Sequence, residues 1–265
     1  MDSAFCSYCG EQRLDAHNRS FKFLITEYIE QITSVDSKIF RTLRLLLFRP
    51  GELDYNYHNG ARVNFLRPIS LFLLVNFLFV IFSPITDFNI TLYDQLNLQV
   101  YSDWLMPLFQ DYLLPNSGLD ASNYAAQYNQ SVVILSRSTI IIQAVIFFFF
   151  VILINHQKNY YSGDHLVFAL NLHSWYMIWI VILLVVVKLL MLVVNQLGFH
   201  LTFSDWYFGI LSVGLGIYTL MATHRLYKKQ WWLTLIRTTL LLLALKLSHV
   251  IYRLIQFFLV SAVVQ

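Results

Sequence analysis

The sequence predicts an all-α integral membrane helical bundle, with about five transmembrane helices behind an N-terminal cytoplasmic segment of amphipathic helices. Three observations predict it. Of 265 residues, 57% are hydrophobic and only 12% charged, where a soluble domain carries about 25% charged residues. The apolar residues gather into stretches near the ~20 residues that hydrocarbon thickness demands, because lipid offers no partner to an unsatisfied backbone group. Lysine and arginine concentrate before the first stretch and are absent from the segment that follows it, Pro84 to Ser131.

Five stretches qualify as spans, near residues 69–85, 132–154, 174–194, 206–222 and 232–263. The first follows Pro68, and the second ends in the run Phe147 to Ile154. The fourth is short and glycine-bearing, and the fifth exceeds what a bilayer needs, which implies tilt or protrusion. Residues 1–19, 20–68 and 69–265 therefore divide the chain into a cysteine-bearing start, a helical cytoplasmic segment and a membrane bundle with an extracytoplasmic loop at 86–131. No basic region followed by an apolar stretch opens the chain, so no cleavable signal peptide is expected and insertion relies on an internal helix.

Orientation follows from the positive-inside rule. Nine basic residues precede the first span: Arg13, Arg19, Lys22, Lys38, Arg41, Arg44, Arg49, Arg62 and Arg67. The stretch from Pro84 to Ser131 has none and carries Asp87, Asp94, Asp103, Asp111 and Asp120. Arg225, Lys228 and Lys229 fall between spans four and five, on the N-terminal side of the membrane. The N-terminus is thus expected in the cytoplasm and the C-terminus outside. Trp175, Trp206, Trp231 and Trp232 fit interfacial belts. The net charge of +3 is too mild to argue for nucleic acid as a partner.

Within the cytoplasmic segment, Ser20 is an N-cap candidate for a helix whose Phe21, Leu24, Ile25, Tyr28, Ile29 and Ile32 recur at helical spacing. A second helix is expected from Asp36, with Ile39, Phe40, Leu43, Leu46 and Leu47 on one face, until Pro50-Gly51 stops it. Such helices suit the inner leaflet, where apolar burial adds to arginine attraction for anionic headgroups. Packing on each other, or on the ends of the bundle, is the alternative the same pattern allows.

These residues resemble a known family. The series Cys6-Ser7-Tyr8-Cys9-Gly10-Glu11-Gln12, Arg19-Ser20-Phe21, Phe40-Arg41-Thr42-Leu43, Arg49-Pro50-Gly51, Gly60-Ala61-Arg62 and Pro68 is similar to the bacterial membrane family catalogued as domain of unknown function 3667. The run His165 to Ser174 is similar to that family's segment before its third span. The resemblance implies a bacterial cytoplasmic (inner) membrane protein and implies no activity. Relatives commonly open with two Cys-x-x-Cys pairs, and here one is present.

Candidate sites are few. Cys6 and Cys9 supply two of the four ligands a structural zinc needs, leaving His17, His58 or a second copy of the chain to complete it; a half-lost ribbon is the simpler account. No other cofactor is expected. His156, His165 and His173 crowd one loop beside Asp164, at spacings unlike a metal motif. No nucleophile-and-base set, phosphate loop or paired carboxylates stand out, so the enzyme reading is weak. The informative residues are cations inside the spans. At about 1.5 Å per residue, Lys188 and Lys246 lie roughly 21 Å from the cytoplasmic interface, and Arg137 and His249 roughly 26 Å. Arg253 reaches the outer surface. These five could line an outer-leaflet pocket for an anionic lipid or amphiphile, or they could pair with Asp103, Asp111 or Asp120 of a loop that folds down. Gly209, Ser212 and Gly216 form a small-residue stripe suited to bundle packing or to a homo-oligomer. Lipid binding, with transport as an extension, leads; a scaffold docking a cytoplasmic partner and a membrane enzyme are the alternatives.

Thiol labelling checks this topology. Ser117→Cys is expected to react from outside intact cells and Lys229→Cys only after permeabilisation; the opposite pattern contradicts it.

Overall fold

The computed structural model describes residues 37–82, 89–196 and 203–264. The helix expected from Ser20 and the pair Cys6 and Cys9 lie outside the described residues. Every regular element among those described is helical. Helix α1 covers 37–48, and α2 is Glu52–His58. Between them Pro50-Gly51 breaks the chain as the sequence implies, Gly51 taking φ 74° as the residue before α2. Only glycine adopts that conformation cheaply.

The apolar helices follow. α3 is Pro68–Phe82, opened by a proline whose missing N–H costs nothing in a first turn. The acidic loop folds into α4 (Leu92–Asn97), α5 (Ser102–Leu108), a π-helical turn at Phe109–Leu113 and α6 (Leu114–Ser117). α7 is Ala121–Asn155, started by the Asp120 side chain accepting from the Asn123 N–H. α8 is Ser162–Gln196, α9 Phe203–Tyr227 and α10 Trp231–Ser261. The second and third stretches are thus longer as helices than as apolar runs: α7 extends back into the loop, and α8 absorbs His165 and His173.

Three helices, at Ser162–Val194, Tyr207–Tyr227 and Trp231–Ser261, are long and apolar enough to cross a membrane. A fourth is added if Ala121–Ser136 and Thr139–Asn155, bent by 63°, make one span. The 15-residue α3, opened by Pro68, falls short of that length.

α7 packs along α10 and against α8, which also holds α3 and α9. A continuous apolar core joins Leu71 and Phe72 of α3, Phe147 and Val151 of α7, Phe168 of α8 and Leu241 of α10. A second cluster closes the other end, where Leu96, Leu105 and Phe109 of the acidic loop cover Tyr128, Phe257 and Val260. Many side chains on the rim of the bundle are apolar and exposed, including Leu189, Leu192, Val213 and Leu243. That inversion of the soluble pattern is what a lipid solvent requires.

α1 and α2 belong to the bundle. Thr42 and Leu46 are buried, as are Leu53 and Tyr57 of α2, within the main core. Phe40, grouped by the sequence with Leu43 and Leu46 on one apolar face of α1, is 76% exposed: α1 docks through Thr42 and Leu46, so the side toward Phe40 turns outward. The connection to α3 is tied back, since Thr42 Oγ1 accepts from the Leu66 N–H at 3.0 Å and the Tyr57 hydroxyl donates to the Leu66 carbonyl.

Gly51 makes the tightest contact. A Cβ there would sit 2.7 Å from the Ala222 Cα and carbonyl oxygen. Gly51→Ala is therefore expected to cost about 2–4 kcal/mol, from left-handed strain plus overpacking. Gly60→Ala, at φ 84° with open space around it, should cost only the strain, about 1–2 kcal/mol. Thermal unfolding in detergent compares them; equal losses would deny the contact.

Candidate functional site

The cations singled out in the sequence occupy different surroundings. Lys188 on α8 and Lys246 on α10 are both exposed, beside exposed Leu189 and Leu190 in one case and Leu247 in the other. Half-buried His249 donates from Nδ1 to Gln143 Oε1 at 3.3 Å. Arg253 Nη1 donates to Gln99 Oε1 at 3.0 Å, and its carbonyl accepts from Gln95 Nε2. The acidic loop thus folds down over α10 and meets Arg253 through glutamines, while Asp103, Asp111 and Asp120 stay exposed. The side chain of Arg137 lies outside the described residues. Structure brings His249 and Arg253 into contact with their neighbours and leaves the two lysines on the bundle surface. Gly209 and Ser212 of the small-residue stripe also face outward.

A denser polar constellation lies at the opposite end, where α1 and α2 meet α8 and α9. Asp54, in the first turn of α2, is 4% exposed and accepts from Asn171 Nδ2 of α8 at 2.8 Å. Burial pushes its carboxyl up to about 7, the Asn171 hydrogen bond only partly opposing this. His165, buried on α8, is hydrogen-bonded through Nδ1 to the Tyr227 hydroxyl at 2.8 Å. Tyr218 of α9 stacks on Trp175 with centroids 3.9 Å apart and donates to the Leu46 carbonyl at 2.9 Å. Arg225 Nη1 donates to the Pro50 carbonyl at 2.9 Å and lies 3.3 Å from Glu52 Oε2.

The rim of this seat gathers further charge. His58 Nδ1 lies 3.2 Å from Asp164 Oδ2 and stacks on Tyr160, whose hydroxyl donates to the Leu226 carbonyl. Lys228 Nζ donates to the Tyr55 hydroxyl. Of the three crowded histidines, His156 is exposed and His165 is taken by Tyr227, while His173 donates to the Ala169 carbonyl. Among the described residues no three His, Cys, Asp or Glu side chains come together as metal ligands.

The sequence marked His58, His165 and Asp164 but not Asp54, Asn171, Tyr218 or Tyr227. Asp54 sits in a seven-residue helix too short to show periodicity, and Asn171 hides inside an apolar run. A lone asparagine inside that apolar run was the available signal.

Next to the seat, Leu43 and Leu47 of α1, Leu74 and Leu78 of α3, and Ile178 and Ile182 of α8 line an apolar groove of about 270 Å³. Arg41 and Arg44 are exposed on α1, with Phe40 and Phe48.

Removing the hooks that hold the segment tests the seat. Tyr218→Phe and Arg225→Met each leave a backbone carbonyl unpaired, at about 1–2 kcal/mol; the partly exposed pair with Glu52 adds little. Faster proteolysis between residues 49 and 66, with the spans still inserted, is the expected result; unchanged cleavage would contradict the seat.

No curated protein and no solved structure matches the chain. The family resemblance does find a match, and it falls on the seat: residues 36–80, from the start of α1 into α3, match the model of the family described as Protein of unknown function (DUF3667).

Proposed function

We propose that the chain is a five-span protein of the bacterial cytoplasmic membrane, N-terminus inside and C-terminus outside, that binds an anionic membrane lipid without converting it. Counting α3 and the bent α7 with α8, α9 and α10 gives the five. At about 1.5 Å per residue the 15 residues of α3 span roughly 22 Å, which a locally thinned bilayer accommodates. One crossing, α3, then separates the arginine-rich segment from the acidic loop, and four crossings separate it from the Arg225–Lys229 turn, so the two basic stretches fall together inside and the loop outside.

The observation that carries the lipid reading is the pairing of an apolar groove with a basic, aromatic helix face. Leu43 and Leu47 line the groove. Phe40, Arg44, Phe48 and Arg41 follow around the same helix, all exposed. Phenylalanines beside arginines on a docked helix match the inner headgroup layer, with an acyl chain entering the groove and the phosphate meeting Arg44. One helix thus does both things that its sequence pattern allowed: it packs on the bundle through Thr42 and Leu46, and it faces lipid with its remaining surface. Lys188 and Lys246 fit headgroup contact one by one, by snorkelling from exposed positions. Binding without conversion is favoured because the polar groups near the groove are engaged in holding α1 and α2.

Native mass spectrometry of the detergent-purified chain tests this reading. Anionic phospholipid is expected to be retained by the wild type. Arg41→Ala with Arg44→Ala should lose it by about tenfold or more, from ~1 kcal/mol per basic residue near an anionic surface. Leu47→Trp, which fills the groove, should lose it as well. Lipid content equal in all three would overturn the reading.

A further inference from the structure

One carboxylate stands at the centre of the seat without a cation. Asp54 is buried between α8 and α9, and among the described residues no lysine, arginine or histidine nitrogen pairs with it. The charged and titratable groups around it are otherwise engaged. On α2 itself, Glu52 meets Arg225 and His58 meets Asp164 of α8. His165 of α8 and Tyr227 of α9 bond each other, and Tyr218 of α9 donates to Leu46. The exception is Arg237 of α10, whose charge acts on Tyr227 and whose Nη1 is buried without a hydrogen-bond partner. An ionised carboxylate so placed is costly, and the ordinary outcome is that it takes up a proton.

The partner that faces it has a matching defect. Asn171, 1% exposed, gives Nδ2 to Asp54 Oδ1, while its own Oδ1 is buried and has no hydrogen-bond partner. A carboxamide can donate to one oxygen of a carboxyl group and, through its carbonyl, accept from the other in a two-bond ring. That carbonyl accepts only if the carboxyl carries a hydrogen. A single proton on Asp54 Oδ2 therefore removes the buried charge and satisfies the orphaned acceptor at once.

We infer that Asp54 and Asn171 form a buried proton-binding site, a carboxylic acid and a carboxamide bonded in both directions, which seats the N-terminal segment when occupied and loosens it when empty. On release the Oδ2–H bond breaks toward water, its electron pair stays on the carboxylate, and Asn171 Oδ1 loses its donor. No other bond changes. The site stands independently of the lipid reading.

The direction of the pH dependence follows. In the unfolded chain the carboxyl titrates near its ordinary value of 3.8, and in the folded chain near about 7. Between those values the folded chain holds the extra proton, so stability falls as pH rises and the contribution is fully lost above the folded value.

The full-length protein in detergent allows two readouts, with Asp54→Asn as the variant. The variant carries a carboxamide that can pair with Asn171 in both directions and has no proton to lose. An infrared carbonyl stretch of a protonated carboxylic acid is expected in the wild type at about pH 6, disappearing by about pH 8, and it should be missing from the variant. Over the same range the wild-type unfolding midpoint should fall by several degrees more than that of the variant. No protonated-acid stretch in the wild type overturns the site, and this holds even if the variant fails to fold. Parallel midpoint profiles overturn its role in seating the segment.

Discussion

The approach of Gly51 to the backbone of Ala222 places everything at the end of the bundle where α1 and α2 dock. A side chain at residue 51 would push α2 off α9, and with it the residues that follow. Because the backbones touch, Leu53 and Tyr57 reach the core. Asp54 is carried into a buried site, and Arg225 finds the Pro50 carbonyl. The left-handed turn that Pro50-Gly51 makes is thus the hinge on which an arginine-rich, interfacial segment becomes a lid on apolar helices. Burial of a carboxylate is a consequence of that lid, and so is its pairing with Asn171.

The two ends of the bundle are closed by different physics. At one end the acidic loop folds into short helices and covers α10 mainly with apolar side chains, Leu96, Leu105 and Phe109 among them. Gln99 meets the arginine of α10 there. At the other end closure is polar and aromatic, through Tyr218, Tyr227, His165 and Asp54. Hydrogen bonds sheltered from water are strengthened by the low dielectric, and leaving one unmade is correspondingly expensive. That end is therefore the place where a small change, such as one proton, can alter how firmly two parts of the chain hold together. The groove of Leu43, Leu47 and their neighbours borders this seat, so a lipid in it would feel the same movement.

Much of the architecture was legible in the residues. Apolar run length located the long helices, and Pro50-Gly51 located the end of α1, because both depend on local chemistry alone. Depth along a helix was legible too, since rise per residue is fixed. Azimuth was not: equal depths for Lys188 and Lys246 said nothing of whether they face one another, and they lie on the exposed surface of α8 and α10. The short helices of the acidic loop were not legible, although Thr91 caps the first of them, since none is long enough to show a helical period. Asp54 and Asn171 are 117 residues apart, and no periodicity joins them. Only the fold, by bringing α2 against α8, turns two unremarkable residues into a pair.

The central claim is that the N-terminal segment is part of the membrane bundle and not a tethered neighbour. Hydrogen exchange of α2, followed by mass spectrometry in lipid nanodiscs, measures this directly. A helix of seven residues has almost no stability alone, so protection at its amides can come only from docking. Slow exchange there, comparable to that of the core stretch of α8, is the result this account predicts; exchange at the rate of an unstructured peptide would contradict it.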